Sequence, residues 1–375
     1  MSLTRLLMRT EADFVVIGGG IVGLSVAHGL LGCGKSVICL DGSDTDFRAS
    51  RGNFGLVWVQ GKGINAPHYA AWSQMAVREY PEFVANLTED TGIEVSLQQT
   101  GGYEYFSDPE AMDERLNQFK SLKKALGGDY PVEALSAEDI RKEEPMVDGE
   151  TVGATFYPHD GHVNPLQLLQ ALAESCQKRG LAHYLGERLT AVSQNGDGFH
   201  LQTEKGLEVR AAKVVLCAGL GAKVLGPMFG FKGLVRPQRG QVLVTEKLPP
   251  VLNRPSVTIR QVNEGAIQIG DSKEEVGFND NETQAQMARI ASKAIKIMPK
   301  LAQLRLVRSW GALRVMSPDG LPVYQHSKTM PGAFLVTCHS GITLSATHSR
   351  NLSRWLVGAE SAPDLSAFSE DRFNA

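Results

Sequence analysis

Three glycines, Gly18, Gly20 and Gly23, follow an apolar run at 13–17, the third of them inside a second run at 21–28. That spacing predicts a strand, a tight turn and a helix. The first glycine permits the turn, the second lets a backbone approach a pyrophosphate, and the third lets helix and strand pack closely. Free N–H groups and the dipole at the helix N-terminus then favour an anion. The next apolar run, 36–40, ends at Asp41, at the separation of about 20 residues from which a carboxylate bonds ribose hydroxyls. Strand, helix and acid in register predict a dinucleotide held by Gly18, Gly20, Ile21, Val22, Gly23, Asp41 and Gly42. A glycine turn packed for its own sake leaves Asp41 unexplained.

With 375 residues, 42% of them hydrophobic, the chain can bury one large core or two domains. A formal net charge of -3 shows no basic excess, which argues against nucleic acid as a partner. The five cysteines, Cys33, Cys39, Cys176, Cys217 and Cys338, are odd in number and scattered. They suggest a reducing compartment and argue against a structural zinc or an iron–sulfur cluster held by this chain. Arg5 and Arg9 interrupt residues 1–9 before a signal-peptide core can form. No run approaches the roughly 18 apolar residues of a membrane span. The expectation is a soluble cytoplasmic protein without a transmembrane segment, any loose membrane association arising through partner subunits.

Residues 12–42 read as a βαβ unit, and later segments return to that style. Residues 213–219 form a short buried-strand pattern, as do 332–337, which run into His339, Ser340 and Gly341 and then a helix through Trp355. Between them, 109–126 and 282–298 carry apolar residues at helical spacing, while 241–245 and 266–270 alternate as half-buried antiparallel strands do. The fold class is therefore α/β with an α+β second domain. A discontinuous Rossmann-like domain is expected at 12–84, 146–235 and 316–375. An antiparallel-sheet domain capping the substrate site is expected at 85–145 and 236–315.

The glycine fingerprint alone serves NAD and FAD equally. A second small-residue loop at 49–56, with Ser50, Arg51, Asn53, Gly55 and Leu56, offers backbone amides to a ribityl chain or diphosphate. Further motifs are Gly153 to Gly161 followed by Asn164 and Pro165, the strand end Ala218–Gly219, and Arg236 to Gln241. Trp310 to Arg314, Pro318 to Pro322 and His339 to Ile342 complete the set. Together these resemble the D-amino-acid oxidase (DAO) superfamily of FAD-dependent oxidoreductases over nearly the whole chain. Within it the glycine oxidase branch is most similar, and in particular the flavin β subunits of opine oxidase, hydrogen cyanide synthase and D-hydroxyproline dehydrogenase.

The resemblance implies non-covalent FAD, because the cysteine and histidine that tether flavin in relatives have no counterpart beside Leu313 or in the loop at Asn53. It implies hydride transfer from the α-carbon of a small amino acid, D-amino acid, imino acid or N-substituted amino acid to flavin N5, giving an imine that hydrolyses. It also implies a second reading, a β subunit that passes electrons to companion subunits and not directly to O2. Arg314 matches the carboxylate-binding arginine, whose planar fork pairs bidentately. His339 replaces a second arginine and adds a titratable group that either contacts the substrate or closes the turn. Ser256 and Thr258 match inward positions that are larger in glycine oxidase. Lys273 either receives a second carboxylate or stands in an exposed turn. The flavin contacts extend to Leu189, Ala218, Gly219, Arg314, Ser340, Gly341, Ile342 and Thr343, with the helix after His339 stabilising the reduced ring. His159 and His162 have the look of a metal pair, but Asn164 and Pro165 read as the cap and first turn of a helix. No metal site is expected.

Overall fold

The structure, a computed structural model, describes residues 9–196 and 198–374. The signal-peptide reading of 1–9 falls almost wholly on residues outside those described.

The glycine turn joins β1 (Glu11–Ile17) to α1 (Ile21–Gly32), and β2 (Val37–Leu40) returns beside β1. Val15, Val16 and all four residues of β2 are buried, as expected of central parallel strands covered on both faces. The sheet runs in the order 323–326, 333–337, 208–216, β1, β2, 182–184. All neighbours along this path are parallel except the edge strand 323–326. Residues 213–216 and 333–337, far apart in the chain, thus share one sheet with β1, the former beside it and the latter one strand further out.

Gly18 has φ +109°, and a Cβ there would lie 2.5 Å from the Cys217 carbonyl oxygen. A Cβ at Gly23 would lie 1.8 Å from the Gly18 carbonyl oxygen. Helix α1 consequently starts hard against the C-terminal end of the sheet. It packs there against the helix Pro165–Lys178 and the helical run that begins at Gly341. Asn164 caps the former, its side chain accepting from the Leu166 and Gln167 amides. The latter continues through a π-helical turn at His348–Leu352 to Val357.

A second layer covers the C-terminal end of this sheet. Strands 259–261, 266–269, 236–247 and 306–316 form one antiparallel sheet, and 102–106, 153–157 and 133–136 another. The two join where Tyr103 donates its amide to Pro255 O at 3.0 Å and accepts from the Val257 amide at 3.1 Å. Helices Pro109–Ala125 and Gln284–Ile297 back these sheets, burying Phe119, Leu122, Ile290 and Ala294. Strand 153–157 belongs by hydrogen bonding to this layer although the sequence pattern places its stretch in the nucleotide domain, and residue 85 falls inside the helix Pro67–Thr91. An alternating strand does not announce its partner in sequence.

Arg260, 2% exposed, ties the layers together. It donates to His162 Nδ1, Val163 O and Gln268 Oε1, each at 2.8 Å, and lies 5.4 Å over the Phe54 ring. His162, the second histidine of the apparent metal pair, spends its Nδ1 on this arginine and its Nε2 on Gln98 at 3.0 Å.

Replacing an interior helical glycine by alanine ordinarily stabilises a helix by about 1 kcal/mol. Gly23→Ala should do the reverse, because its methyl meets a backbone carbonyl that cannot yield without moving the turn. Denaturant midpoints should report a loss of about 1–3 kcal/mol. A variant as stable as the parent would contradict the close approach.

Candidate active site

Two cavities meet at the C-terminal end of the parallel sheet. The smaller, of about 170 Å³, runs from the N-terminus of α1 past Asp41 to the turn at His339. The larger, of about 960 Å³, lies between that turn and the antiparallel layer. Ala49, Asn53, Val315, Cys338 and His339 line both, so the space is continuous.

In the smaller cavity the glycine turn contributes Gly18, Gly20, Ile21 and Val22, and the end of β2 contributes Asp41 and Gly42. Ser50, Asn53, Leu189, Ala218, Gly219 and Gly341 complete the predicted wall. Ser50 Oγ accepts from the Ile21 amide at 2.9 Å, which brings the 49–56 loop across the helix terminus. The larger cavity gathers Leu56, Arg314, Ser340, Ile342 and Thr343.

Four predicted residues play other parts. Gly23 does not line the cleft; it is the packing point beneath it. Arg51 points outward and pairs with Asp44 at 2.8 Å. Gly55, at φ +91°, has no room for a Cβ against Val163 O and the Arg260 guanidinium, so it shapes the loop without facing either cavity. Thr258 also lies off the wall. Ser256 Oγ accepts from the Thr258 and Ile259 amides and closes a turn, which shifts the inward position to Val257.

Arg314 is half-buried on the strand 306–316. Its Nη1 donates to the Ser272 and Arg239 carbonyls at 2.8 and 3.3 Å, and its Nη2 lies 3.2 Å from Asp271 Oδ2. Asp319, a nearer candidate in sequence, pairs with Arg372 at 2.8 Å. The guanidinium therefore stands braced at the cavity wall with its plane set.

His339 does not supply a charge near neutrality. Burial, followed by the neighbouring Lys62, Arg314 and Lys273, pushes its pKa down to about 3. Its Nδ1 lies 2.9 Å from Ser340 Oγ, which in turn lies 2.5 Å from the Tyr69 hydroxyl. Cys217 and Cys338 are buried, and burial pushes the Cys338 thiol up to about 12, so neither is a thiolate. Lys273 is exposed and also reaches the rim of the larger cavity.

Several lining residues have no strong signature in the sequence. Arg48 binds Asp41 and donates to the Gly42 and Ser43 carbonyls at 3.1 and 2.9 Å. Its buried Nε has no partner among the described residues. Lys62, half-buried, donates from Nζ to Thr343 Oγ1 at 2.8 Å, and burial pushes its pKa down to about 7 despite Asp160. An arginine seven residues after Asp41 and a lysine after a glycine are the signals available for them.

The cleft fits a dinucleotide. Its glycines open the helix terminus where a Cβ at Gly20 would crowd Ser50 and one at Gly341 would crowd Ile21. The unpartnered Arg48 Nε and the Asp41 carboxylate stand at the far end from Arg314. Among the described residues no group of three potential ligands is placed to hold a metal, and no helix is long and apolar enough to cross a membrane.

Comparison with known proteins agrees with this geometry. The DAO family, described as FAD dependent oxidoreductase, matches residues 13–355. An opine oxidase subunit of Rhizobium meliloti is 39% identical over 366 residues, 97% of this chain and 98% of its own. The HcnC subunit of hydrogen cyanide synthase from Pseudomonas aeruginosa is 27% identical, over 98% of this chain and 97% of its own. The crystal structure of glycine oxidase from Geobacillus kaustophilus shares the fold, with a TM-score of 0.88 at 23% identity, covering 96% of this chain and 98% of that one. The chain belongs to the DAO family of FAD-dependent oxidoreductases.

Proposed function

We propose that the chain oxidises a CH–NH or CH–NH2 group in a small amino acid, D-amino acid, imino acid or N-substituted amino acid. The observation that carries this reading is Arg314, braced by Asp271 and two carbonyls, facing the same cavity as the His339 to Thr343 turn. When bound, FAD supplies the hydride acceptor, and the product imine is hydrolysed by water. Gly18, Gly20, Ile21, Asp41, Ser50 and Arg48 would hold its dinucleotide end without a covalent bond, and the turn at Ser340, Gly341 and Thr343 its ring end.

Arg314 binds the substrate carboxylate and so orients the α-carbon; a fixed planar fork restricts both rotation and distance. Only a neutral amine has the lone pair that assists hydride loss. Enclosure under the antiparallel layer lowers an amine's pKa, and the cations Arg314 and Lys62 act in the same direction. His339, neutral above about pH 3, can accept or donate one hydrogen bond without adding to that field.

The alternative reading concerns assembly: the chain acts as the flavin β subunit of a heteromeric dehydrogenase, its electrons leaving through companion subunits and not directly to O2. The two relatives at 39% identity, each named as a subunit of opine oxidase, match it over 97% of its length. An exposed aromatic pair, Phe47 and Phe278, 43% and 50% exposed with rings 5.5 Å apart, sits where Phe47 lines the dinucleotide cavity. Such apolar exposure suits a covered surface.

Anaerobic reduction of the bound flavin by a panel of amino acids and N-substituted amino acids tests the chemistry. Arg314→Ala should retain flavin but bind the best reductant about 10- to 100-fold more weakly, the loss expected for a charge-assisted pair. If the variant is reduced as readily as the parent, the carboxylate assignment is wrong. Assembly is tested with the same reductant in air. The isolated chain should release little peroxide while reducing an artificial acceptor rapidly; peroxide release matching acceptor turnover would identify a free-standing oxidase.

A further inference from the structure

One face of the helix Pro67–Thr91 carries three polar tips, on Tyr69, Trp72 and Tyr80, toward the end of the nucleotide domain. Trp72 Nε1 donates to the Tyr324 hydroxyl at 3.0 Å, and the Tyr80 hydroxyl donates to the Ile342 carbonyl at 2.9 Å. These two contacts pin the helix against the turn that follows His339. The third, from Tyr69, ends on Ser340 Oγ at 2.5 Å, and Ser340 passes the interaction on to His339 Nδ1 at 2.9 Å. Ser340 stands at the N-cap of the helical run that begins at Gly341, yet its side chain accepts from none of that run's amides. A serine in that place ordinarily caps. Here its oxygen is committed between Tyr69 and His339.

The direction of this chain follows from counting protons. A hydroxyl has one to give, and a neutral imidazole has one to give and one lone pair to offer. Burial pushes the Tyr69 pKa up, so the phenol keeps its proton. Ser73 Oγ lies near Tyr69 but outside hydrogen-bond geometry. Tyr69 therefore donates to Ser340, and Ser340 donates to His339 Nδ1. The reverse order would leave the buried Tyr69 proton without an acceptor among the described residues, a loss of about 1–3 kcal/mol. Burial, with Lys62, Arg314 and Lys273 around it, keeps His339 uncharged above about pH 3. Its one proton is then on Nε2. That nitrogen has no partner among the described residues and is not sealed off, so it opens on the cavities that His339 lines.

We propose that Tyr69, acting through Ser340, is a positioning residue that fixes His339 as an Nε2–H donor, and that this donor completes the seat of the carboxylate held by Arg314. The ligand of that donor rests on the amine-oxidation reading; the tautomer does not. The turn thereby offers a directed N–H where a further cation would add to the charge of Lys62, Arg314 and Lys273. With its lone pair spent on Ser340, His339 takes no proton from the amine.

The tautomer is read in flavin-loaded protein by 15N-resolved NMR of labelled histidine, which separates Nδ1–H, Nε2–H and doubly protonated rings. His339→Gln identifies the signal. The parent should show the Nε2–H form, unchanged between about pH 5 and pH 8. Tyr69→Phe removes the proton that sets the order and should convert the ring, wholly or in part, to the Nδ1–H form. Dissociation constants for methoxyacetate, a carboxylate without an amine, follow from perturbation of the flavin spectrum. Tyr69→Phe should weaken it about 3- to 10-fold. With the best amine reductant the same variant should raise the dissociation constant by a similar factor, while the limiting rate of flavin reduction changes less than about twofold. A purely structural role for Tyr69 would leave the tautomer as it is in the parent. An Nδ1–H ring in the parent, a Tyr69→Phe ring that stays Nε2–H, or an unchanged methoxyacetate affinity each overturns the assignment. The parent spectrum needs neither a variant nor a substrate, so it decides the tautomer whether or not Tyr69→Phe folds and whether or not any amine reduces the flavin.

Discussion

A backbone contact that only glycine permits underlies the rest of the molecule. With Cβ positions 1.8 Å from the Gly18 carbonyl at Gly23 and 2.5 Å from the Cys217 carbonyl at Gly18, no side chain fits where α1, β1 and the strand 208–216 converge. That closeness sets the helix terminus at the mouth of the sheet. The 49–56 loop then crosses it through Ser50, and the turn after strand 333–337 brings Gly341 to the same helix, where a Cβ would lie 2.7 Å from Ile21 Cγ2. One crowded junction therefore aligns the cleft for a dinucleotide with the cavity where its reactive end would lie.

The covering layer contributes chemistry by exclusion and by charge. Arg260 locks it to the 49–56 loop through Phe54 and to the strand 161–162 through His162, so the roof of the larger cavity is tied to its floor. Burial pushes the His162 pKa down to about 3 and that of Arg260 down to about 9. The histidine thus stays neutral and can accept from the arginine. Within the cavity the same effect keeps His339 uncharged while Arg314 holds a braced orientation. Positive charge near His339 is thereby left to a few side chains, Arg314 among them.

The βαβ unit was legible because apolar runs, glycine spacing and Asp41 all repeat a local pattern. The return of 213–219 and 332–337 to the same sheet was legible too, as short runs ending in small residues. Pairing between distant segments was less so. Strand 153–157 joins 102–106 and 133–136 through alternation that reads alike in any sheet. At 256–259 an extended reading set the wrong parity, since Ser256 bonds its own following amides and makes a turn that exposes Val257 to the cavity. Lys62 stood out little because its hydrogen-bond partner, Thr343, lies 281 positions away in sequence. Arg314 and His339 could be picked out, but His339 neutrality arises from the three cations and burial that tertiary structure assembles around it.

On the proposed chemistry, the α-carbon of an amine bound at Arg314 gives up its hydrogen to the flavin. The most direct measurement is single-turnover anaerobic reduction with the best amine substrate, protiated and then deuterated at that carbon. Flavin bleaching should slow several-fold with deuterium, as expected when the C–H bond breaks in the observed step. Reduction at the same rate, under conditions where substrate binding is saturated, would contradict it.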